Sequence, residues 1–162
     1  MKEIKLSKKG KNRGKYVALV DNEDYNFFNR WNWYAWSSRG IFYAARTIKV
    51  NGKTKTIHLH REIMRTPENL KIDHRDGNGL NCQRHNMRNC THSQNMCNRK
   101  PCGTSKYLGV YIYRSKYIQT KITINGRSTY LGSSKNEEDA ARIYDKAALK
   151  YHGEFANLNF KY

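Results

Sequence analysis

The C-terminal part of the chain carries the pattern that most limits its fold: short β-rich runs followed by one amphipathic helix. Asn125-Gly126 is a hairpin signal between the second and third runs. Ser134 stands ahead of Glu137, which resembles a capped helix start, and Gly153 is expected to end the helix. Apolar residues inside the helix recur at spacings of three and four, so one stripe can cover a sheet. We expect strands at residues 108–113, 117–124 and 128–131, and the helix at residues 139–152.

The charge of the chain favours a polyanionic partner. Its 162 residues include 31 Lys and Arg against 13 Asp and Glu, a formal net charge of +18. No acidic residue occurs between Gly77 and Asn136, a stretch that holds ten Lys or Arg. Twelve Tyr and three Trp exclude a simple disordered basic tail. We therefore expect a nucleic acid as the partner.

The same composition argues against a membrane or a secretory route. No apolar run approaches the ~18 residues needed to span a bilayer. Residues 1–16 are basic and polar without an apolar core, so they do not resemble a secretory signal. We expect a cytoplasmic or nucleoid-associated protein.

Three segments can be separated along the chain, and together they predict an α+β fold. Residues 1–56 combine a basic leader with a small β-rich region expected to bind DNA, and its three Trp are expected to serve mainly as packing. Residues 57–104 are rich in His, Asn and Cys, and residues 105–162 form the module described above. In the first two segments we expect strands at residues 16–20, 33–36, 41–50, 57–59, 70–74 and 87–90, and helices at residues 21–30, 61–65 and 92–99.

Asp73-His74 is the pair that suggests chemistry. Adjacent side chains of a strand point to opposite faces, so the two converge only if the strand ends or bends between them. A helix that follows the hairpin would bring Asn95 to the same place. Carboxylate and amide oxygens suit Mg²⁺ or Mn²⁺, and a neutral imidazole can take a proton from water. A metal and a general base beside a basic surface are the requirements for phosphodiester hydrolysis.

These residues closely resemble the HNH endonuclease motif of phage and intron homing endonucleases. The resemblance implies a ββα-metal fold with one Mg²⁺ or Mn²⁺ per active site. It implies that His74 is the general base, and that Asp73 and Asn95 hold the metal. It also implies that Asn86 fixes the loop and orients His74, whereas Asn98 is a further motif position of less defined role. The matching residues are His60-Arg61, residues 73–78, Leu80-Asn81, residues 86–88, in which Met87 replaces the usual Leu, and residues 91–98.

The C-terminal segment resembles a second family, the Apetala/ethylene-response-factor (ERF) DNA-binding domain. The match rests on residues 105–110, Leu131-Gly132, residues 137–141, Tyr144-Asp145, Ala147-Ala148 and residues 153–160. The resemblance implies a three-stranded sheet laid in the DNA major groove. Alternation places Gln119, Lys121 and Thr123 on the polar face of the middle strand, opposite the apolar face that must meet the helix. The DNA-binding candidates are Tyr111, Tyr113, Arg114, Lys116, Gln119, Lys121, Thr123 and Arg127.

Four cysteines lie near the motif but do not have the spacing of a zinc site. Seven, six and four residues separate Cys82, Cys90, Cys97 and Cys102, so no C-x-x-C pair exists. We expect no structural zinc, and small thiols that fill the core instead.

The sequence therefore predicts a metal-dependent HNH DNA endonuclease of the homing type. The alternative is a non-catalytic DNA-binding regulator with a degenerate nuclease core. A third hypothesis is a structure-selective nuclease that acts on RNA or branched DNA. One active site per chain is compatible with nicking, and with double-strand cutting by a dimer or by two sequential events.

Overall fold

The computed structural model describes residues 1–7, 14–99, 101, 104–113 and 117–160. Among these residues, small antiparallel sheets alternate with helices, of which one is long, and this confirms the α+β class. The contacts divide it into two compact units, Met1–Thr91 and His92–Tyr162. The expected boundaries after residues 56 and 104 stay predictions. Basic residues 8–11, Cys102, and the DNA-binding candidates Arg114 and Lys116 lie outside the described residues.

The first unit contains three antiparallel sheets and two short helices. Its strands pair as β1–β2, β3–β4–β5 and β6–β7. In chain order the elements are β1 (Lys2–Lys5), β2 (Val17–Val20), α1 (Asn22–Phe28), β3 (Tyr34–Ser38), β4 (Ile41–Val50), β5 (Lys53–His58), α2 (Leu59–Met64), β6 (Lys71–His74), a 3₁₀ turn (Arg84–Asn86) and β7 (Met87–Cys90).

Local sequence signals account for most of these boundaries. β4 ends where expected, at an Asn51-Gly52 turn in which both residues take the left-handed conformation, with φ of 49° and 75°. The strand expected to reach Leu59 ends at His58 instead. Leu59 is fully buried and begins α2, because the chain turns there to cover the core.

One hydrophobic core holds the first unit together. Side chains from β1, β2, α1, α2 and the β3–β4–β5 sheet, called the central sheet below, pack in it together with those of the loop before β7. Trp33 is 1% exposed and its Nε1 donates to the Phe28 carbonyl at 2.8 Å, and Trp31 packs against the same core, whereas Trp36 is 39% exposed. The packing role expected for the tryptophans therefore holds for two of the three. The buried core residues are Ile4, Leu6, Ala18, Val20, Phe28, Trp33, Ala44, Leu59, Ile63, Leu80, Cys82 and Met87.

The second unit is a three-stranded antiparallel sheet covered on one face by a long helix. In chain order its elements are α3 (His92–Cys97), β8 (Val110–Tyr113), β9 (Tyr117–Ile124), β10 (Arg127–Ser134), α4 (Glu137–His152) and a 3₁₀ turn (Gly153–Phe155). β9 is central, and its buried Thr120 and Ile122 face the helix, as alternation predicts. Thr120 also donates its hydroxyl to the Ala140 carbonyl at 3.2 Å.

The N-terminus of α4 differs in one detail from the expectation. Ser134 belongs to β10, and the cap is Asn136, whose side-chain oxygen accepts from the Asp139 amide at 2.9 Å. The strand runs three residues further than expected, so the cap moves with it. Gly153 ends the helix in a positive-φ conformation, as expected.

Two close contacts fix the second unit. Gly109 has a φ of 71°, and a Cβ there would overlap the Tyr144 ring and lie 2.7 Å from the Lys121 carbonyl oxygen. The fully buried Asp145 carboxylate accepts from the amides of Asn159 and Phe160, at 2.8 and 2.9 Å, which ties the C-terminal segment to α4.

Candidate active site and nucleic-acid interface

The β6–β7 hairpin of the first unit holds the Asp73-His74 pair. Both residues are part of the ladder, since Asp73 pairs with Arg88 and His74 with Met87 across the hairpin. The strand thus continues through His74 rather than ending between the two residues, and regular alternation directs their side chains to opposite sides. Asp73 is 2% exposed and His74 is 7% exposed. The hairpin therefore gives the two groups separate surroundings.

Asp73 is held in an ion pair with Arg88. Its Oδ2 accepts from Nε of Arg88 at 2.8 Å and lies 2.6 Å from Nη2. The two side chains are 3% and 11% exposed, so the pair is screened from water. The sequence motif contains Arg88, but its role as partner of the expected metal ligand was not foreseen.

His74 lies against two rings of the N-terminal part of the unit. Its ring centroid is 5.3 Å from that of His60, with the planes at 88°, and 6.0 Å from that of Tyr43. Burial lowers the pKa of His74 below its ordinary value of 6.5, and the carboxylates of Asp76 and Asp73 oppose this shift without cancelling it. The imidazole is therefore neutral at pH 7, the form that can accept a proton.

The loop after His74 is organised by Asn86. The Asn86 side chain accepts from the Asp76 amide at 3.1 Å and donates to the Asp76 carboxylate at 3.0 Å and to the Asn81 carbonyl at 2.9 Å. Burial alone would raise the pKa of Asp76, but hydrogen bonds from Asn78, Asn81 and Asn86 outweigh it and the pKa is lowered. Asn86 thus fixes the loop, which is one half of its expected role. The orientation of His74 by Asn86 stays a prediction.

Asn95 and Asn98 lie on and just after α3, which belongs to the second unit. Asn95 is half-buried, and its carbonyl accepts from the Asn98 amide at 3.3 Å. The part of Asn95 in a shared metal site with Asp73, and the further motif position at Asn98, therefore stay predictions.

Two residues near His74 were missed or underrated from the sequence. Tyr43 lies in the middle of β4, thirty-one positions before His74, and no motif marks it. Gly79 was noted only as part of a turn dipeptide. A Cβ on Gly79 would lie 2.6 Å from both the Tyr43 ring and the Phe42 carbonyl oxygen. The absence of a side chain at Gly79 therefore allows the loop to pack directly on Tyr43. The sequence carries no signal for this close approach, because the dipeptide Asn78-Gly79 indicates only a turn.

The outer face of the second unit's sheet is rich in tyrosine. The strand register places Tyr111 opposite Gln119, Tyr113 opposite Tyr117, and Tyr130 opposite Lys121, all on the face away from α4. Tyr113, Tyr117 and Tyr130 are 43%, 66% and 56% exposed. Tyr117 and Tyr130 were not among the expected DNA-binding residues, although alternation could have found them.

Lys121 lies at the centre of this outer face. Its Nζ donates to the Tyr113 hydroxyl at 3.1 Å and lies 5.3 Å and 5.7 Å from the ring centroids of Tyr113 and Tyr111. Thr123 shares the face, being paired with Ser128. Arg127 differs, because its register partner is Ile124 on the helix side of the sheet. Arg127 thus lies at the hairpin end rather than beside Lys121.

Three cysteines lie among the described residues, Cys82, Cys90 and Cys97. Cys82 and Cys90 are buried, and burial raises the pKa of Cys82 to about 12 and that of Cys90 to about 11. Cys97 is half-buried on α3. Within the part of the chain that the structure describes, no three side chains of His, Cys, Asp or Glu gather as a metal site.

Comparison with known proteins gives similarities to two kinds of protein. The chain is 26% identical over 151 residues to an uncharacterized HNH endonuclease of Acanthamoeba polyphaga mimivirus, a match that spans 93% of this chain and 78% of that protein. It is 36% identical over 88 residues to an AP2-like ethylene-responsive transcription factor of Arabidopsis thaliana. It is also 40% identical over 58 residues to APETALA2-like protein 2 of Oryza sativa subsp. indica.

The plant matches cover little of either protein. They span 45% and 35% of this chain, and only 21% and 13% of the Arabidopsis and rice proteins. No family model matches the chain. The chain is thus similar over most of its length to an HNH endonuclease, and over part of its length to AP2-like plant proteins.

None of the helices in the described residues is long and apolar enough to span a membrane.

Proposed function

We propose that the chain is a divalent-metal-dependent DNA endonuclease of the homing type, in which His74 acts as the general base. The observation that carries the proposal is the burial of the His74 imidazole, directly after Asp73 in β6, since burial lowers its pKa and favours the form that can accept a proton. His74 would accept the proton of the attacking water as that water bonds to the phosphorus. The P–O3′ bond breaks as the new P–O bond forms, and the leaving 3′-oxygen takes a proton from solvent, which gives a 3′-hydroxyl and a 5′-phosphate.

Asp73 and Asn95 are the residues that would hold the cation. Their oxygens are the hard donors that Mg²⁺ or Mn²⁺ prefers. The donor chemistry therefore fits the group. When bound, a divalent cation stabilises the developing charge on the phosphate.

The outer sheet face of the second unit would provide binding to double-stranded DNA. Lys121 and Gln119 can donate hydrogen bonds to phosphates or base edges, and the exposed tyrosines can contact sugars and bases. The net charge of +18 would make phosphate contacts the main source of affinity. Sequence recognition would then be separated from the hydrolytic residues of the first unit.

A plasmid assay tests the proposal. Wild-type protein and His74→Ala are incubated with supercoiled plasmid and Mg²⁺, with EDTA as the metal control and His85→Ala as the control for loss of an exposed histidine. We expect wild type and His85→Ala to relax the plasmid, and His74→Ala to bind it without cutting. End sequencing of the products should give 5′-phosphates.

A second outcome would favour the non-catalytic regulator. The Arg88 guanidinium occupies Oδ2 of the expected metal ligand, which is the feature expected of a site kept only for its structure. Binding without nicking by wild type, in both Mg²⁺ and Mn²⁺, would refute the nuclease proposal and support that alternative.

A further inference from the structure

A continuous series of rings leads from the surface of the central sheet to His74. Trp36 of β3 contacts Tyr43 of β4 and His58 of β5, at centroid distances of 6.0 and 4.9 Å. His58 stacks on His60 at 5.4 Å, with the planes at 16°. The strand pairs Trp36–Tyr43 and Ala45–His58 place these rings on one face of the sheet.

His60 and Tyr43 are the members of this series that reach His74. The His60 ring meets the His74 ring edge to face, at 5.3 Å and 88°, and Tyr43 meets His74 at 6.0 Å and 59°. His60 and Tyr43 also contact each other, at 5.3 Å. The three rings form a closed triangle, so a rotation of His74 would collide with one of two neighbours.

His60 forms this contact as an uncharged ring. Burial, reinforced by the positive charge that His74, His58 and Arg61 can carry, lowers the pKa of His60 to about 2. His60 therefore adds no charge repulsion to His74 near neutral pH. Its contribution to the pocket is the shape of an aromatic plane.

Tyr43 is itself held from the other side. The loop that follows His74 approaches so closely at Gly79 that a Cβ would lie 2.6 Å from Cδ1 and Cε1 of the Tyr43 ring. Tyr43 thus lies between this loop and the rings of His60 and His74. The loop itself is fixed by Asn86 through Asp76 and Asn81. His74 is consequently confined by rigid neighbours on β4 and α2.

We propose that His60 and Tyr43 are positioning residues, whose rings hold the His74 imidazole in the orientation needed to accept a proton from water. The proposal rests on the proposed function of His74 as general base. It assigns a part of the N-terminal half, outside the β6–β7 hairpin, to the nuclease site. A base misplaced by about 1 Å can cost about 100-fold in rate, so loss of one ring should be measurable.

Two substitutions at His60 separate the shape of the ring from its volume. His60→Leu keeps an apolar side chain of similar volume without the ring, whereas His60→Phe keeps the plane. We expect His60→Leu to lower the single-turnover nicking rate about 10- to 100-fold. We expect His60→Phe to stay within about threefold of wild type. The Kd for DNA in EDTA should be unchanged in both, and His85→Ala is the matched control.

An NMR measurement reads the orientation of His74 without catalysis. The Cε1–Hε1 signal of His74 is followed in wild type, His60→Leu and His60→Phe. We expect a single sharp signal in wild type and His60→Phe, and a shifted or broadened signal in His60→Leu. Tyr43→Leu and Tyr43→Phe should repeat this pattern.

The outcomes distinguish the two proposals. If wild type does not nick DNA, the proposed function fails, while the NMR signals still test whether the rings order His74. An unchanged rate and an unchanged His74 signal in folded His60→Leu would overturn the positioning role. So would a His60→Phe rate as low as that of His60→Leu, because the imidazole nitrogens rather than the ring would then be required.

Discussion

Replacing Arg88 with Met should destabilise the first unit strongly. Met retains most of the aliphatic packing of Arg but leaves the Asp73 carboxylate, 3% exposed, without the guanidinium that now lies 2.6–2.8 Å from it. An exposed ion pair contributes about 0–1 kcal/mol, but breaking a buried pair costs about 3–5 kcal/mol. Because Asp73 keeps further contacts within the structure, we expect the lower end of that range, about 3 kcal/mol.

The positions of the tryptophans allow this loss of unfolding free energy to be measured for the first unit alone. All three, Trp31, Trp33 and Trp36, lie in that unit. Tryptophan fluorescence during urea unfolding therefore reports its stability separately from that of the second unit. With a slope of about 1–3 kcal/mol per molar urea, a loss of 3 kcal/mol lowers the midpoint by about 1–3 M.

A double variant tests the stated cause. Asp73→Leu combined with Arg88→Met removes both charges and should recover most of the lost stability, because the cost in the single variant comes from an unpaired buried charge. A loss below about 1 kcal/mol in Arg88→Met would refute the reasoning. A double variant as unstable as Arg88→Met would refute it equally.

Three further outcomes are expected. Gly109→Ala should unfold the second unit, because the new Cβ would overlap the Tyr144 ring and because alanine disfavours a φ of 71°. Loss of the dispersion of the unit's amide signals in an NMR spectrum would show the unfolding, and a native spectrum would contradict the prediction. The free energy of unfolding of the first unit should fall by about 2 kcal/mol between pH 6.5 and 4.5, because the pKa of His60 is about 2 in the folded chain and higher in the unfolded chain, which therefore takes up the proton first. The urea midpoint, followed by tryptophan fluorescence, should fall less over this pH range in His60→Phe than in wild type. An equal fall in both would exclude His60 as the cause. Lys121→Ala should reduce the slope of log Kd against log salt by about one if Lys121 contacts a phosphate; an unchanged slope would place Lys121 away from the backbone.

Patterns that act over a few residues allowed much of the fold to be predicted. The alternation of Gln119, Lys121 and Thr123 against Ile122 correctly divides the two faces of β9. The dipeptides Asn51-Gly52 and Asn125-Gly126 mark turns because these residues tolerate positive φ. Such signals depend on local backbone energetics, which the sequence displays directly.

The contacts around His74 could not be predicted in the same way. The motif locates His74 and Asp73, but the ring of Tyr43 reaches His74 from a strand far earlier in the chain. The pairing of Asp73 with Arg88 depends on the register of β6 and β7, which a turn of twelve residues does not fix by itself. Both features depend on tertiary packing, which single-sequence patterns do not record.

The residues that carry the resemblance to the ERF domain are mainly structural in the second unit. Leu108, Ala140, Tyr144 and Asp145 are buried, and Gly109 allows the sheet to approach the helix. The exposed tyrosines on the outer face are a separate set. The resemblance in this segment therefore supports its fold more directly than any binding role.

Helix α1 and its N-cap residue Asp21 bind the segment that precedes Asn86. The Asp24 carboxylate binds the Arg84 guanidinium through both oxygens, at 2.7 and 2.9 Å, and Asp21 accepts from the Arg84 amide and the Gln83 side chain. These partners are sixty or more positions apart. A minimal nuclease cut from residues 57–104 would lose these anchors, so engineering should exchange whole halves of the chain rather than transplant the motif.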